Sequence, residues 1–351
     1  MIVSICHILP QTILRKERIL PVPGRVLARQ GQKVGALDVI AETHTAPEHI
    51  QLNLSRSLRV SANTADELTQ CRAGDNIGVG DIIAGPVGIS RRVVRSPING
   101  MVQATGKGKV LIQVDKPLFE LRAGVRGKVV QLIPDFGAVI ETRGCQIQGS
   151  WGNGLEDYGL MQVKIDSPTD DLTLDQINIS LRGSIILGGY CNNPEILHKA
   201  ADVPVRGLIL TSMSSKLIND ARRMKYPILL LEGFGRLPLN SITYNLLSKN
   251  QNREISLLAN LFNRFEDQRP EIIIPLPVEE VVDEPFRIDK FVKGQKVRIN
   301  SKPYQAETGI IELLYNDPVT FPSGIRTSAA KINLDKGTSV KVPLNNMEII
   351  A

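Results

Sequence analysis

The sequence predicts a multidomain α+β protein: an all-β unit, a small parallel α/β unit, and a second all-β unit at the carboxyl end. Three observations predict it. Glycine and proline turn signals recur about every 8 to 12 residues through residues 1–150, with short β-branched runs between them. Strand-like apolar runs then alternate with helix-like segments over 151–270. An acidic, proline-rich stretch at 271–285 follows, and short glycine-bounded strands return over 286–351.

Within 1–150 a glycine-spaced strand pattern occurs three times. Gly24-Arg-Val-Leu leads into Gly31-Gln-Lys-Val-Gly-Ala-Leu-Asp-Val-Ile-Ala41. A shorter copy runs from Gly74 to Ala84, and a third from Gly127 to Ile140. Glycines around β-branched runs are how small curved sheets turn corners. Val39-Ile40, Ile82-Ile83, Val110 to Val114 and Val129-Val130 are expected strands, and residues 61–70 a short helical insertion. The pattern Gly-x-x-Val-x-x-x-Asp-x-Ile-Ala, followed by Ser96-Pro-Ile-Asn-Gly-Met-Val102, resembles the barrel-sandwich hybrid domain, the fold of biotinyl and lipoyl carriers and of many non-carrier adaptors. In carriers the modified lysine sits at a hairpin tip. The first copy has Glu42-Thr43-His44 there, and the one Asp-Lys that fits, Asp115-Lys116, is followed by Pro117. The resemblance therefore implies a non-carrier domain, with no cofactor expected.

Residues 151–270 begin with a glycine-rich link containing Trp151. Ser184 to Leu187 reads as a buried strand ending at Gly188-Gly189. Pro194 to Ala201 reads as a helix, with Asn192 or Asn193 as its cap and Pro194 in the first turn. Gly207 to Leu210 and Pro227 to Leu231 are further strands, and Ser214–Met224 and Asn240–Lys249 further helices. This order predicts a parallel sheet with right-handed crossovers. Ligands of such sheets bind beyond the carboxyl ends of the strands. Candidate ligand-binding residues there are Gly188, Gly189, Asn192, Ser212, Ser214, Ser215, Glu232 and Gly233, whose glycines, hydroxyls and free N–H groups suit an anion. Neither a dinucleotide fingerprint nor a P-loop is present. Glu232 as a base and Cys191 with His198 as a nucleophile pair are the catalytic alternatives. The helical spacing turns His198 away from Cys191, so no catalytic residue is assigned.

Ile272 to Ile274 is placed to finish the sheet, and the rest of 271–285, with five acids and no base in the whole stretch, reads as a linker. Residues 286–351 open with Phe291-Val-Lys-Gly-Gln-Lys-Val-Arg-Ile299, then Pro303-Tyr304 and Gly309-Ile-Ile311. This resembles a KOW-type SH3-like β-barrel, found in ribosomal and transcription-elongation proteins. The resemblance implies an RNA or protein partner, with Lys293, Lys296, Arg298, Lys302, Tyr304 and Arg326 as the candidate nucleic-acid contacts. Lysine and arginine would neutralise phosphates and make affinity salt-dependent.

Composition narrows the function. The 351 residues, 42% hydrophobic and 22% charged, fit two or three ordinary folded domains. Aromatics are only 4%, so stacking platforms are scarce. No apolar run approaches the roughly 18 residues a membrane span needs. The N-terminal charges follow the apolar stretch, the reverse of a secretory signal, so a cytoplasmic protein without membrane insertion is expected. Cys6, Cys71, Cys145 and Cys191 lie far apart and read as free buried thiols, and the histidines show no metal-ligand set. The net charge of +6 is uneven: residues 1–150 hold 19 Lys and Arg against 12 Asp and Glu, and 286–351 hold ten against six. Arg91, Arg92 and Arg95 form a further basic cluster.

The expected function is that of a non-catalytic binding or adaptor protein with a protein partner, contacting nucleic acid (RNA or DNA) or a nucleoprotein complex through the C-terminal barrel. A purely protein-binding scaffold, and an enzyme or small-anion binder using the α/β crevice, are the alternatives. Oligomeric state is open.

Overall fold

A computed structural model describes residues 5–44, 48–89, 91–114, 118–263, 268–277 and 290–350. It is mostly β, with several sheets and few helices. Asp115, Lys116 and the acidic run 278–285 fall outside the described residues. No helix there is long and apolar enough to cross a membrane.

An eleven-stranded sheet runs through the centre of the protein. Its parallel part is Glu156–Val163, Ser184–Cys191, Gly207–Met213 and Ile228–Phe234, side by side in that order. Three of these are near-continuous apolar runs because both their faces are buried. Ile185, Leu187, Ile209, Leu229 and Leu231 face one core, with the helix Ser241–Lys249 packed there through Leu247. Ile186, Leu208, Leu210, Ile228 and Leu230 face the other, with Ile196, Leu197 and Ala200 of Pro194–Asp202. Local chemistry fixes the helix starts. Asn193 accepts a hydrogen bond from the Glu195 N–H with Pro194 in the first turn, and Asn240 accepts one from Thr243.

Two sequence expectations are corrected in detail. The strands extend beyond Gly188-Gly189, Leu210 and Leu231, to Cys191, Met213 and Phe234. Gly189 is needed inside its strand, because a Cβ there would sit 1.9 Å from the Asp170 carbonyl oxygen. The helix expected over Ser214–Met224 is a 3-10 turn, Ser215–Leu217, followed by a short α-helix, Ile218–Arg223. No sheet closes into a barrel among the described residues. At the carboxyl end, the strand Met347–Ile350 pairs with Lys296–Ile299 on one edge and, in parallel, with Ile5–Cys6 on the other. The N-terminal strand thus occupies one end of an open six-stranded sheet.

The large sheet is forked. Gly137–Gln148 pairs on one edge with the long strand Ile8–Ile19. Its other edge has two partners in succession: Gly127–Ile133 takes Gly137 to Glu141, and Glu271–Pro275 takes Gly144 to Gln148. The partners part at Thr142 and Arg143. Gly144 allows the second one in, since a Cβ there would lie 2.0 Å from the Ile274 carbonyl oxygen. The remaining N-terminal sheets are small. The helix Ala62–Glu67 covers the four-stranded one, within the expected insertion.

Candidate functional site

The carboxyl end of Ile228–Phe234 carries Glu232 into a cluster of buried charges. Arg298 donates from Nη1 to Glu232 Oε2 at 2.6 Å and from Nε to Glu348 Oε1 at 2.8 Å. Arg269 Nη2 reaches Glu348 Oε2 at 2.9 Å, with its guanidinium 4.9 Å from the centroid of the Phe262 ring. The other Glu232 oxygen accepts from the Asn240 backbone N–H at 3.0 Å and its Nδ2 at 2.7 Å. All four charged side chains are 6% exposed or less, so the pairing has to be close to complete. Burial alone would raise the Glu348 carboxyl, but Arg298 and Arg269 outweigh it and hold it below its ordinary value. Burial likewise works against the Arg298 charge, and Glu232 and Glu348 hold it well above its ordinary value.

Sequence reasoning missed this cluster, although a signal was present. Lys296–Ile299 and Met347–Ile350 are antiparallel, with Arg298 directly opposite Glu348 between the apolar pairs Val297–Ile349 and Ile299–Met347. Each strand thus places one charge on a face shared with its opposite. That face is covered by the end of the large sheet, so Arg298, expected among the nucleic-acid contacts, is buried.

Beside the cluster lies a cavity of about 340 Å³, lined by Ser150, Gly233, Phe262, Asn300 and Gln305 as well as the charges. Glu232 and Gly233 are the only members of the expected ligand-binding set in it. Gly188 and Gly189 lie inside their strand against Leu172 and Asp170. Ser212 Oγ is engaged with Leu237, donating to its oxygen at 3.1 Å and accepting from its N–H at 3.2 Å. Ser214 accepts the Leu217 N–H at 3.0 Å, Ser215 begins the 3-10 turn, and Asn192 is exposed before the capping Asn193. Cys191 donates to the Asn193 oxygen at 3.7 Å, and burial pushes its thiol up to about 11. A thiol held there is a poor nucleophile at neutral pH. His198 is exposed on the helix. No cluster of three or more metal-ligating side chains exists among the described residues.

The C-terminal candidates divide. Lys302 and Tyr304 share a groove of about 260 Å³ with Phe321, Ile325, Lys341 and three prolines. Arg326, next to Ile325, is exposed and donates to the Pro318 oxygen at 3.4 Å. Lys296 pairs instead with Asp335 at 3.6 Å, and Lys293 is exposed in the charge field of Glu312. In the N-terminal cluster, Arg95 donates to the Gly80 oxygen at 2.7 Å, and Arg92 is half-buried.

A fourth feature, not expected from sequence, is a cleft of about 790 Å³ at the fork of the large sheet. Lys33, Arg126, Lys128 and Arg143 line it, and Arg126 and Pro275 connect it to a smaller hollow holding Arg253. No protein-family model matches this chain, and no curated protein matches it.

Proposed function

We infer that this is a non-catalytic binding or adaptor protein that contacts nucleic acid, alone or in a nucleoprotein complex, through its C-terminal unit. One observation carries the reading: Lys302, Lys341, Tyr304 and Phe321 line a single groove, with Arg326 beside it. Cations interleaved with aromatic faces are what a single strand needs, the cations for its phosphates and the rings for its bases. In this reading the regions are 1–150, of barrel-sandwich-hybrid type; 151–270, with the parallel strands; 271–285, whose first residues, Glu271–Pro275, finish the large sheet and whose remainder is a linker; and 286–351, of SH3-like type. The run of short antiparallel strands from Lys296 to Ile350 supports the last of these.

The purely protein-binding reading is favoured by a different feature. Ile310, Leu313 and Ile325 are large apolar side chains left exposed in the same unit. Fluorescence anisotropy of labelled single-stranded RNA and DNA with the full chain, at low and near-physiological salt, separates the two. Under the nucleic-acid reading, binding survives physiological salt and weakens about tenfold in Tyr304→Ala and in Lys302→Ala/Lys341→Ala. Absent binding, or binding erased by moderate salt and indifferent to these changes, overturns it and leaves the protein-binding scaffold. Arg298 is unsuited to this test because its removal breaks the buried cluster.

A further inference from the structure

The fork cleft gathers several unpaired cations around one concavity. Some cations of the protein have carboxylate partners, among them Lys16 with Glu271, Arg18 with Glu156, Arg206 with Asp157 and Lys331 with Glu312. Lys33, Arg126, Lys128, Arg143 and Arg253 make no ion pair among the described residues, and all five are exposed. The two carboxylates of the cleft are already engaged. Glu141 accepts from Arg15 Nε at 3.3 Å, and Glu254 accepts from the Tyr158 hydroxyl. Among the described residues, five cations border this connected concavity against two carboxylates, Glu141, which is paired with Arg15, and Glu254, so positive charge is in excess there.

The cleft is built into the sheet. Gly127 starts one partner of Gly137–Gln148 and Pro275 ends the other, so the floor at Thr142 and Arg143 lies between two diverging strands. Arg126 and Lys128 flank Gly127, Lys33 comes from the strand paired with it, and Arg143 rises from the floor. Lys33, Lys128 and Arg143 stand on paired strands, which hold side-chain spacing better than loops do, and Arg126 and Arg253 each sit one residue before a strand. Like charges set this close repel one another, so an anion that joins them gains from all of them at once.

The geometry points to a binding site for an oligophosphate at this fork, held by Lys33, Arg126, Lys128, Arg143 and Arg253. Arginine forks match phosphate oxygens two at a time, and three of the five cations are arginines. An acidic peptide fits less well. It carries at most one charge per residue, each on its own flexible side chain, whereas an oligophosphate carries its charges on the chain itself. The apolar wall of Val34, Pro275 and Leu276 leaves room for whatever the phosphates are attached to. That attachment is either a small molecule or a nucleic-acid strand. The site is independent of the C-terminal groove, with which it shares no residue.

The test is calorimetric titration of the full chain with inorganic tripolyphosphate, with orthophosphate and a hexaglutamate peptide as comparisons, followed by competition with single-stranded RNA. Tripolyphosphate is expected to bind more tightly than either comparison, and more weakly as salt rises. Arg126→Ala and Arg143→Ala are each expected to weaken it about tenfold. Both side chains are exposed, so thermal melting should match the wild type, and Lys302→Ala should bind tripolyphosphate normally. If RNA displaces tripolyphosphate and loses affinity in the same variants, the phosphates are those of a strand. If RNA does neither, they belong to a small molecule. Absent tripolyphosphate binding, binding indifferent to Arg126 and Arg143, or tighter binding of hexaglutamate overturns the proposal.

Discussion

At the scale of single residues, the buried charges decide most. Removing one partner from a buried ion pair leaves the other uncompensated, at a cost of about 3–5 kcal/mol. Glu348 is shared by Arg298 and Arg269, so Glu348→Gln should destabilise the protein by that amount. Urea unfolding followed at Trp151, which packs edge-on against Phe234 next to the cluster, reads the change. Acid adds a second signature. Because the folded-state carboxyl of Glu348 lies below its ordinary value, its contribution is fully present above the unfolded value of about 4.3. It is lost as pH falls through the lower folded value. The wild type should therefore lose more stability between pH 5 and pH 3 than Glu348→Gln does; equal losses would mean that Glu348 is not held ionised by the arginines. The thiols give an independent check. Burial pushes Cys6 up to about 11, Cys145 to about 12 and Cys191 to about 11. At pH 8 a thiol reagent should leave these three unlabelled in the native protein and label them after unfolding.

At the scale of elements, the cap of the helix Ser241–Lys249 does two jobs. Asn240 accepts from Thr243, and through its side-chain amide it donates to Glu232. Asn240→Ala should cost about 1–2 kcal/mol for the cap, and more because Glu232 Oε1 keeps only the backbone donor. Asn240→Asp keeps the cap but sets a second carboxylate against Glu232, so a smaller loss in Asn240→Asp than in Asn240→Ala would mean that the Glu232 contact contributes little. This helix, Pro194–Asp202 and the parallel strands were legible in the sequence because caps, proline and apolar runs are local signals. The strand ends were misjudged at Gly188-Gly189, since glycine there serves the approach of Asp170 and Leu172 rather than a turn. The fork was illegible for a different reason. Gly127 and Pro275 meet the same strand from positions almost 150 residues apart, and no local pattern encodes that. Its cations are equally scattered, and only the excess of positive charge in residues 1–150 hinted at them.

At the scale of the whole molecule, the N-terminal strand joins two sheets. Cys6 ends the strand paired with Met347–Ile350, Ile8 begins the strand paired with Gly137–Gln148, and His7 alone lies between them. The C-terminal sheet is thus tied to the large sheet through a single intervening residue, and the Arg298–Glu232 contact crosses the same boundary. Neither link was legible, because parallel pairing between the two ends of a chain leaves no mark in either. Ile5 lies in the C-terminal core with Phe291, Val297, Ile299 and Ile349. Ile5→Ala should cost about 2–5 kcal/mol, and hydrogen exchange locates where that cost falls. Amides of Lys296–Ile299 and Met347–Ile350 should lose protection first, while Ser184–Cys191 and Gly207–Met213, buried on both faces, keep theirs. Uniform loss across both sheets would mean that they unfold as one cooperative unit, and unchanged protection would mean that the N-terminal strand does not hold the C-terminal sheet in place.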